Sequence, residues 1–160
     1  MNDNKMQRIV DFLHGKSKTI SIAESITGGD VTSKLLECKN LSNVFKGSVI
    51  AYTAQAHESL LNINPLLLRE YGLISREVSI EIALAVQKLA DTNLAIGISG
   101  NVSEETLHGK KPGIVYFTIV EENNISNYSL NIQIESVNDY HVIVASQIID
   151  EIYKLLFDKK

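Results

Sequence analysis

The chain has a single cysteine, Cys38, among its 160 residues. One thiol closes no internal disulfide and builds no cysteine cage for zinc, and it points to a reducing compartment. Basic charge is also short, since 15 Lys and Arg stand against 19 Asp and Glu for a formal charge of −4. No basic stripe offsets that balance. The longest groupings are Lys110-Lys111 and Lys159-Lys160, so a surface that tracks nucleic-acid phosphates is not expected. Long apolar runs are missing too, none approaching the ~18–20 residues of a membrane span. The polar start, Met1-Asn2-Asp3-Asn4-Lys5, does not read as a signal peptide. The expectation is a cytoplasmic protein with neither a membrane nor a nucleic-acid partner.

What is present is an ordinary globular composition, 44% apolar and 21% charged. A chain near this length buries roughly 68–70% of its unfolded surface and needs no covalent staple. One domain over 1–160 is expected.

Met6, Ile9, Val10 and Leu13 recur at helical spacing and predict a helix over 4–14. The β-branched run Thr19-Ile20-Ser21-Ile22-Ala23 predicts a strand, broken at 24–30 before Val31, Leu35 and Leu36 restart a helical pattern. Residues 45–53 read as a second strand, followed by short helices over 54–61 and 65–71, with Pro65 in a first turn and Gly72 as a cap. Ser75 is the expected N-cap of a helix over 76–91. Leu94 to Ser99 has the continuous apolar character of a strand buried on both faces. Runs 113–120 and 126–134 flank Glu121-Glu122-Asn123-Asn124 and predict an antiparallel hairpin, and 137–157 predicts a closing helix. Strands separated by helices imply an α/β fold. The expectation is a three-layer α/β/α sandwich on a mostly parallel mixed sheet of about five strands, the hairpin supplying one antiparallel strand.

In such sheets ligands gather beyond the carboxyl ends of the strands, and three loops qualify. In the first, 24–30, the amides of Gly28 and Gly29 with the hydroxyls of Ser25 and Thr27 suit an anion at a helix start. The same string also suits a tight capped turn. It is neither GxxxxGKS nor GxGxxG, which disfavours a nucleotide triphosphatase or a dinucleotide dehydrogenase. In the second loop, Tyr52 ends a strand and His57 follows five residues on; with Ser25 they form a possible nucleophile, relay and base. A solitary surface histidine and a strand-end tyrosine are more often structural, and that reading of Tyr52 and His57 stands beside the catalytic one. His14, His108 and His141 are scattered without metal-ligand spacing, so no metal is assigned. The third loop, 99–112, is long enough for a binding loop and holds Glu104-Glu105, either an acid pair or two solvated charges. Asp139, near the start of the last helix, reads as a helix-terminal charge.

Taken in order, Ala23-Glu24-Ser25-Ile26-Thr27-Gly28-Gly29, Tyr52 at a strand end, Gly72-Leu73-Ile74-Ser75, Ser99-Gly100 and Lys111-Pro112-Gly113 resemble the CinA C-terminal domain family of competence/damage-inducible proteins and nicotinamide-nucleotide amidases. The resemblance covers about residues 5–157. It implies an α/β/α fold and hydrolysis of the carboxamide of nicotinamide mononucleotide to nicotinate mononucleotide and ammonia. By that resemblance Ser25 is the nucleophile, Tyr52 assists it, and the amides of Thr27, Gly28 and Gly29 hold an anionic group. Glu24, Gly100, Asn101 and Lys111, in or beside the same motifs, are expected to bind substrate. No metal or organic cofactor is implied, the partner is a small nucleotide, and a homo-oligomer is expected.

The chain departs from the family at three places. The family pattern Tyr-Ser-Asn-x-x-Lys is here Tyr52-Thr53-Ala54-Gln55-Ala56-His57, which casts His57 as the substitute base. A glycine-rich third loop is replaced by Ser99-Gly100-Asn101-Val102-Ser103-Glu104-Glu105, whose carboxylates repel a phosphate. The arginine that opens the family's last helix has no counterpart between Ser136 and Val142. Three outcomes are compatible with this: a nicotinamide-nucleotide amidase, a weak or inactive domain kept for nucleotide binding or protein association, and a serine amidase for another small amide.

Overall fold

The computed structural model describes residues 4–133 and 139–158. The chain runs α1 (Lys5–Gly15), β1 (Ile20–Glu24), α2 (Asp30–Leu36), a 3-10 turn at Leu41–Asn43, and β2 (Phe45–Ile50). It continues α3 (Ala54–Leu61), α4 (Pro65–Tyr71), α5 (Arg76–Ala90), β3 (Leu94–Gly100), β4 (Ile114–Glu121), β5 (Asn124–Asn131) and α6 (Tyr140–Phe157). The sheet order is β2-β1-β3-β4-β5. β1 pairs in parallel with β2 and β3, while β4 runs antiparallel to both β3 and β5. Four strands therefore point one way and only β4 opposes them, the α/β/α arrangement with a single reversed strand that the pattern predicts.

The two faces of β1 and β3 differ in side-chain size, and this sets the layers. Ile20, Ile22, Leu94, Ile96 and Ile98 share a core with α1, α2 and α6, packing on Ile9, Leu13, Val144 and Ile148. On the opposite face Ala23 and Ala95 meet Val78, Ile82 and Val86 of α5. Gly97 lies there too, and a Cβ on it would stand 2.4 Å from the Ser79 carbonyl oxygen and 2.6 Å from the Ala83 nitrogen. Backbone cannot yield as a flexible side chain does, so Gly97→Ala is expected to cost about 3 kcal/mol. Thermal unfolding of the variant measures it.

Caps fix the helix starts near the site. The Ser75 hydroxyl accepts from the Val78 N–H at 3.2 Å, Thr53 Oγ1 from Ala56 N–H at 3.1 Å, and Asn64 Oδ1 from Leu66 N–H at 2.9 Å. The Thr53 cap explains why β2 stops at Ile50, short of the expected residue 53: the chain must turn before the cap. The hairpin turn is tighter than predicted, because Glu122 adopts a left-handed φ of 55° and pairing resumes at Asn124. Ile134 and the first residues of the predicted last helix, 137 and 138, lie outside the described residues. Among those described, no helix is long and apolar enough to cross a membrane.

Candidate active site

Because β1, β2 and β3 are parallel neighbours, their carboxyl ends deliver Ser25, the 51–53 turn and Gly100 to one edge of the sheet. Ser25 is buried and its Oγ donates to the Ile98 carbonyl at 3.0 Å. Two adjoining chambers open there, and both are lined by Ser25, Ile26, Tyr52 and Val102. The inner one, about 100 Å³, continues between Leu73, Ile74 and Gly100. The outer one, about 430 Å³, continues to Asp30, Tyr140 and His141.

Several donors of the loop after β1 are taken up by the protein itself. Glu24, fully buried, turns its own carboxylate onto the start of α2. Oε2 accepts from Thr27 Oγ1 at 2.6 Å, Gly29 N–H at 3.1 Å and Val31 N–H at 3.3 Å; Oε1 accepts from Thr32 N–H at 2.7 Å and Thr32 Oγ1 at 2.5 Å. The Gly28 amide donates to the Ser25 carbonyl at 3.1 Å. The Gly28 and Gly29 amides expected to hold a ligand's negative charge thus have partners within the protein, as does the Thr27 hydroxyl, and Glu24, expected to bind substrate, has both carboxylate oxygens engaged in organising the turn. The turn needs its glycines, which adopt φ of 58° and 102° at Gly28 and Gly29.

His57 is not in the cleft. It sits in α3 with 1% of its surface exposed, Nδ1 is 2.8 Å from the Thr53 carbonyl oxygen, and it lines neither chamber. Desolvation pulls its pKa below the usual imidazole value, partly opposed by the Thr53 hydrogen bond. The expectation that it serves Ser25 as base is therefore corrected: it is a buried core imidazole. A histidine neutral in the fold and more basic when unfolded stabilises the fold above about pH 6.5 and loses that contribution as pH falls. The Tm is expected to drop between about pH 7 and 5, and His57→Gln, read by pH-resolved thermal unfolding, to flatten that drop.

Asn101 and Lys111 also differ from expectation. Asn101, 1% exposed, spends its amide inside its own loop: Nδ2 donates to the Glu105 and Lys110 carbonyls at 2.7 and 2.8 Å, and Oδ1 accepts from the Ser103 N–H and hydroxyl at 3.0 and 2.7 Å. It shapes the loop that walls the inner chamber. Lys111 is exposed and lines neither chamber, as are Glu104 and Glu105. Gly100 does line the cleft, and a Cβ there would stand 2.8 Å from the Ile114 carbonyl oxygen. Tyr52 stands exposed over both chambers.

The residues that sequence reasoning missed come from the start of α6. Nε2 of His141 lies 3.5 Å from Asp30 Oδ2 in the wall of the outer chamber. That Oδ2 is buried without a hydrogen bond. Tyr140 is 2% exposed, its hydroxyl has no partner among the described residues, and burial pushes its pKa up to about 12. The available signal was Tyr140-His141 at the head of a helix that packs on α2, the element that begins with Asp30. A larger groove of about 580 Å³ between α3 and α5 is lined by Leu60, Ile63, Leu84 and Leu89 with only Glu81 and Lys88 ionisable, and it offers no nucleophile.

Residues 2–154 match the CinA C-terminal domain. The chain belongs to that family. Among curated relatives of this CinA C-terminal domain, a CinA-like protein of Pseudothermotoga lettingae is 36% identical over 117 residues, 72% of this chain and 29% of the relative. Another CinA-like protein, from Fervidobacterium nodosum, is 31% identical over 83% of this chain and 33% of its own length. The chain thus spans about a third or less of these relatives. The Mycoplasma pneumoniae protein MG115 homolog is 27% identical over 92% of this chain and 94% of its own. A solved CinA superfamily protein from Klebsiella pneumoniae superposes with a TM-score of 0.91 at 19% identity, covering 99% of this chain and 100% of the other. That likeness establishes the fold.

Proposed function

We propose that this CinA C-terminal domain is a serine-dependent amidase that hydrolyses the carboxamide of a nicotinamide nucleotide or nucleoside. The observation that supports the reading is that Ser25 and Tyr52 face the cleft that the Asp30–His141 pair borders. Ser25 Oγ leaves the Ile98 carbonyl by a turn about χ1 and attacks the amide carbon. His141 takes the hydroxyl proton, and the Asp30 carboxylate steadies the imidazolium that forms. The C–N bond breaks, the proton passes to the departing nitrogen with Tyr52 assisting, and ammonia leaves. Water then cleaves the Ser25 ester to free the carboxylic acid and restore the enzyme.

The test is ammonia release from nicotinamide mononucleotide and nicotinamide riboside by the purified protein. His141→Ala is expected to lose about 10²–10⁴-fold in kcat, the range of one proton-transfer group, whereas His57→Gln keeps most of it. Full activity in His141→Ala contradicts the assignment. A second reading, a domain that binds nucleotide without turning it over, is favoured by Ser25 Oγ being tied to a carbonyl rather than to a base. Binding without ammonia release is its expected outcome.

A further inference from the structure

We infer that the groove between α3 and α5 receives a second copy of this chain, whose own α5 lies antiparallel on the first and pairs with it through Glu81 and Lys88. Leu60 and Leu89 line the groove at 53% and 64% exposure, and the half-buried Leu84 and Ala85 lie with them. Single exposed leucines are ordinary on a protein surface. Several around one concavity mark a place where another surface sits.

The charges say which surface. Glu81 and Lys88 share one strip of α5 with Leu84 and Ala85, seven residues apart, which is about 10.5 Å along the helix axis. Neither has an ion pair among the described residues. The midpoint between them falls between Leu84 and Ala85. A two-fold axis through that point brings Glu81 of each copy to Lys88 of the other and lays the apolar stretch of one helix on that of its mate. One strip thus carries both halves of its own complement, as an isologous interface requires.

Ala85 is small at the crossing point, so the two helix axes can approach to roughly 8–10 Å. A crossing near roughly −50° holds the central turns in contact while the ends diverge. That divergence keeps Glu77 and Asp91, the carboxylates further out on the same strip, from facing each other across the axis. The groove shares no lining residue with either chamber of the cleft, so the pairing does not depend on the amidase reading.

The experiment is sedimentation equilibrium of the whole chain from about 1 to 500 μM. A reversible dimer with a dissociation constant on the order of 10 μM is expected, weakened about threefold when salt is raised from about 0.05 to 0.5 M. Because the axis makes each substitution count twice, Glu81→Lys and Lys88→Glu are each expected to weaken self-association at least about tenfold. An equimolar mixture of the two variants is expected to return to within about threefold of wild type, since the all-basic pair on one strip then faces the all-acidic pair on the other. Both positions are exposed, and a Tm within about 2 °C of wild type confirms that each variant is folded. A chain that remains monomeric at about 500 μM overturns the inference and leaves the groove to a different partner. So does a dimer that salt and both single reversals leave unchanged, or one that the mixture fails to restore, because the copies would then meet elsewhere.

Discussion

Ser25→Ala is expected to reduce kcat/KM for ammonia release at least ~1000-fold while leaving the fold intact. The size follows from the step removed: without the hydroxyl no ester forms, and what remains is direct attack by water in a cleft that still orients the amide. A ~1000-fold loss corresponds to about 4 kcal/mol of transition-state stabilisation. The structural cost should be small, since the Oγ makes one hydrogen bond, to Ile98. Activity measured beside thermal unfolding separates the two effects. Undiminished release by Ser25→Ala excludes the serine mechanism.

Glu24→Ala is expected to act the other way, through stability first. The five donors now aimed at that carboxylate would be left where water reaches poorly, and Thr27 and Val31 are fully buried. An unsatisfied buried group costs about 1–3 kcal/mol, and partial relaxation of the turn offsets part of the sum, giving about 4 kcal/mol. At about 2–4 °C per kcal/mol for a chain of this size, Tm should fall by about 10 °C. Ser25 would lose its position with the turn, so activity should fall as well. Glu24→Gln separates charge from shape, because its amide puts an NH₂ among converging donors and should recover only part of the loss. A Tm within about 2 °C of wild type in Glu24→Ala would show that the carboxylate does not hold the turn.

The layers of the fold were readable because they follow from period and size. The run Leu94–Ser99 alternates Leu, Ile and Ile on one face with Ala, Gly and Ser on the other, and the latter face admits α5 at backbone contact. The site was readable only where local spacing decides geometry. Ser25 and Tyr52 end adjacent parallel segments and so meet by topology.

His57 misled because nearness to Tyr52 along the chain says nothing about which side of a helix faces the cleft; the α3 register turns it into the core. His141 was overlooked because it is 116 residues from Ser25 in sequence, and only the packing of α6 on α2 brings it to Asp30. Glu24 stands in a motif as a plain carboxylate, and whether it meets a ligand or its own helix depends on the left-handed turn at Gly28 and Gly29.

The most direct test of the central claim is the covalent state of Ser25 during turnover. Acid-quenching the enzyme early in its reaction with nicotinamide riboside and mapping peptides by mass spectrometry reports it. The account predicts an acyl adduct, with loss of ammonia, on the peptide that contains Ser25. Ammonia release with that peptide unmodified, or with the adduct on another residue, would contradict it.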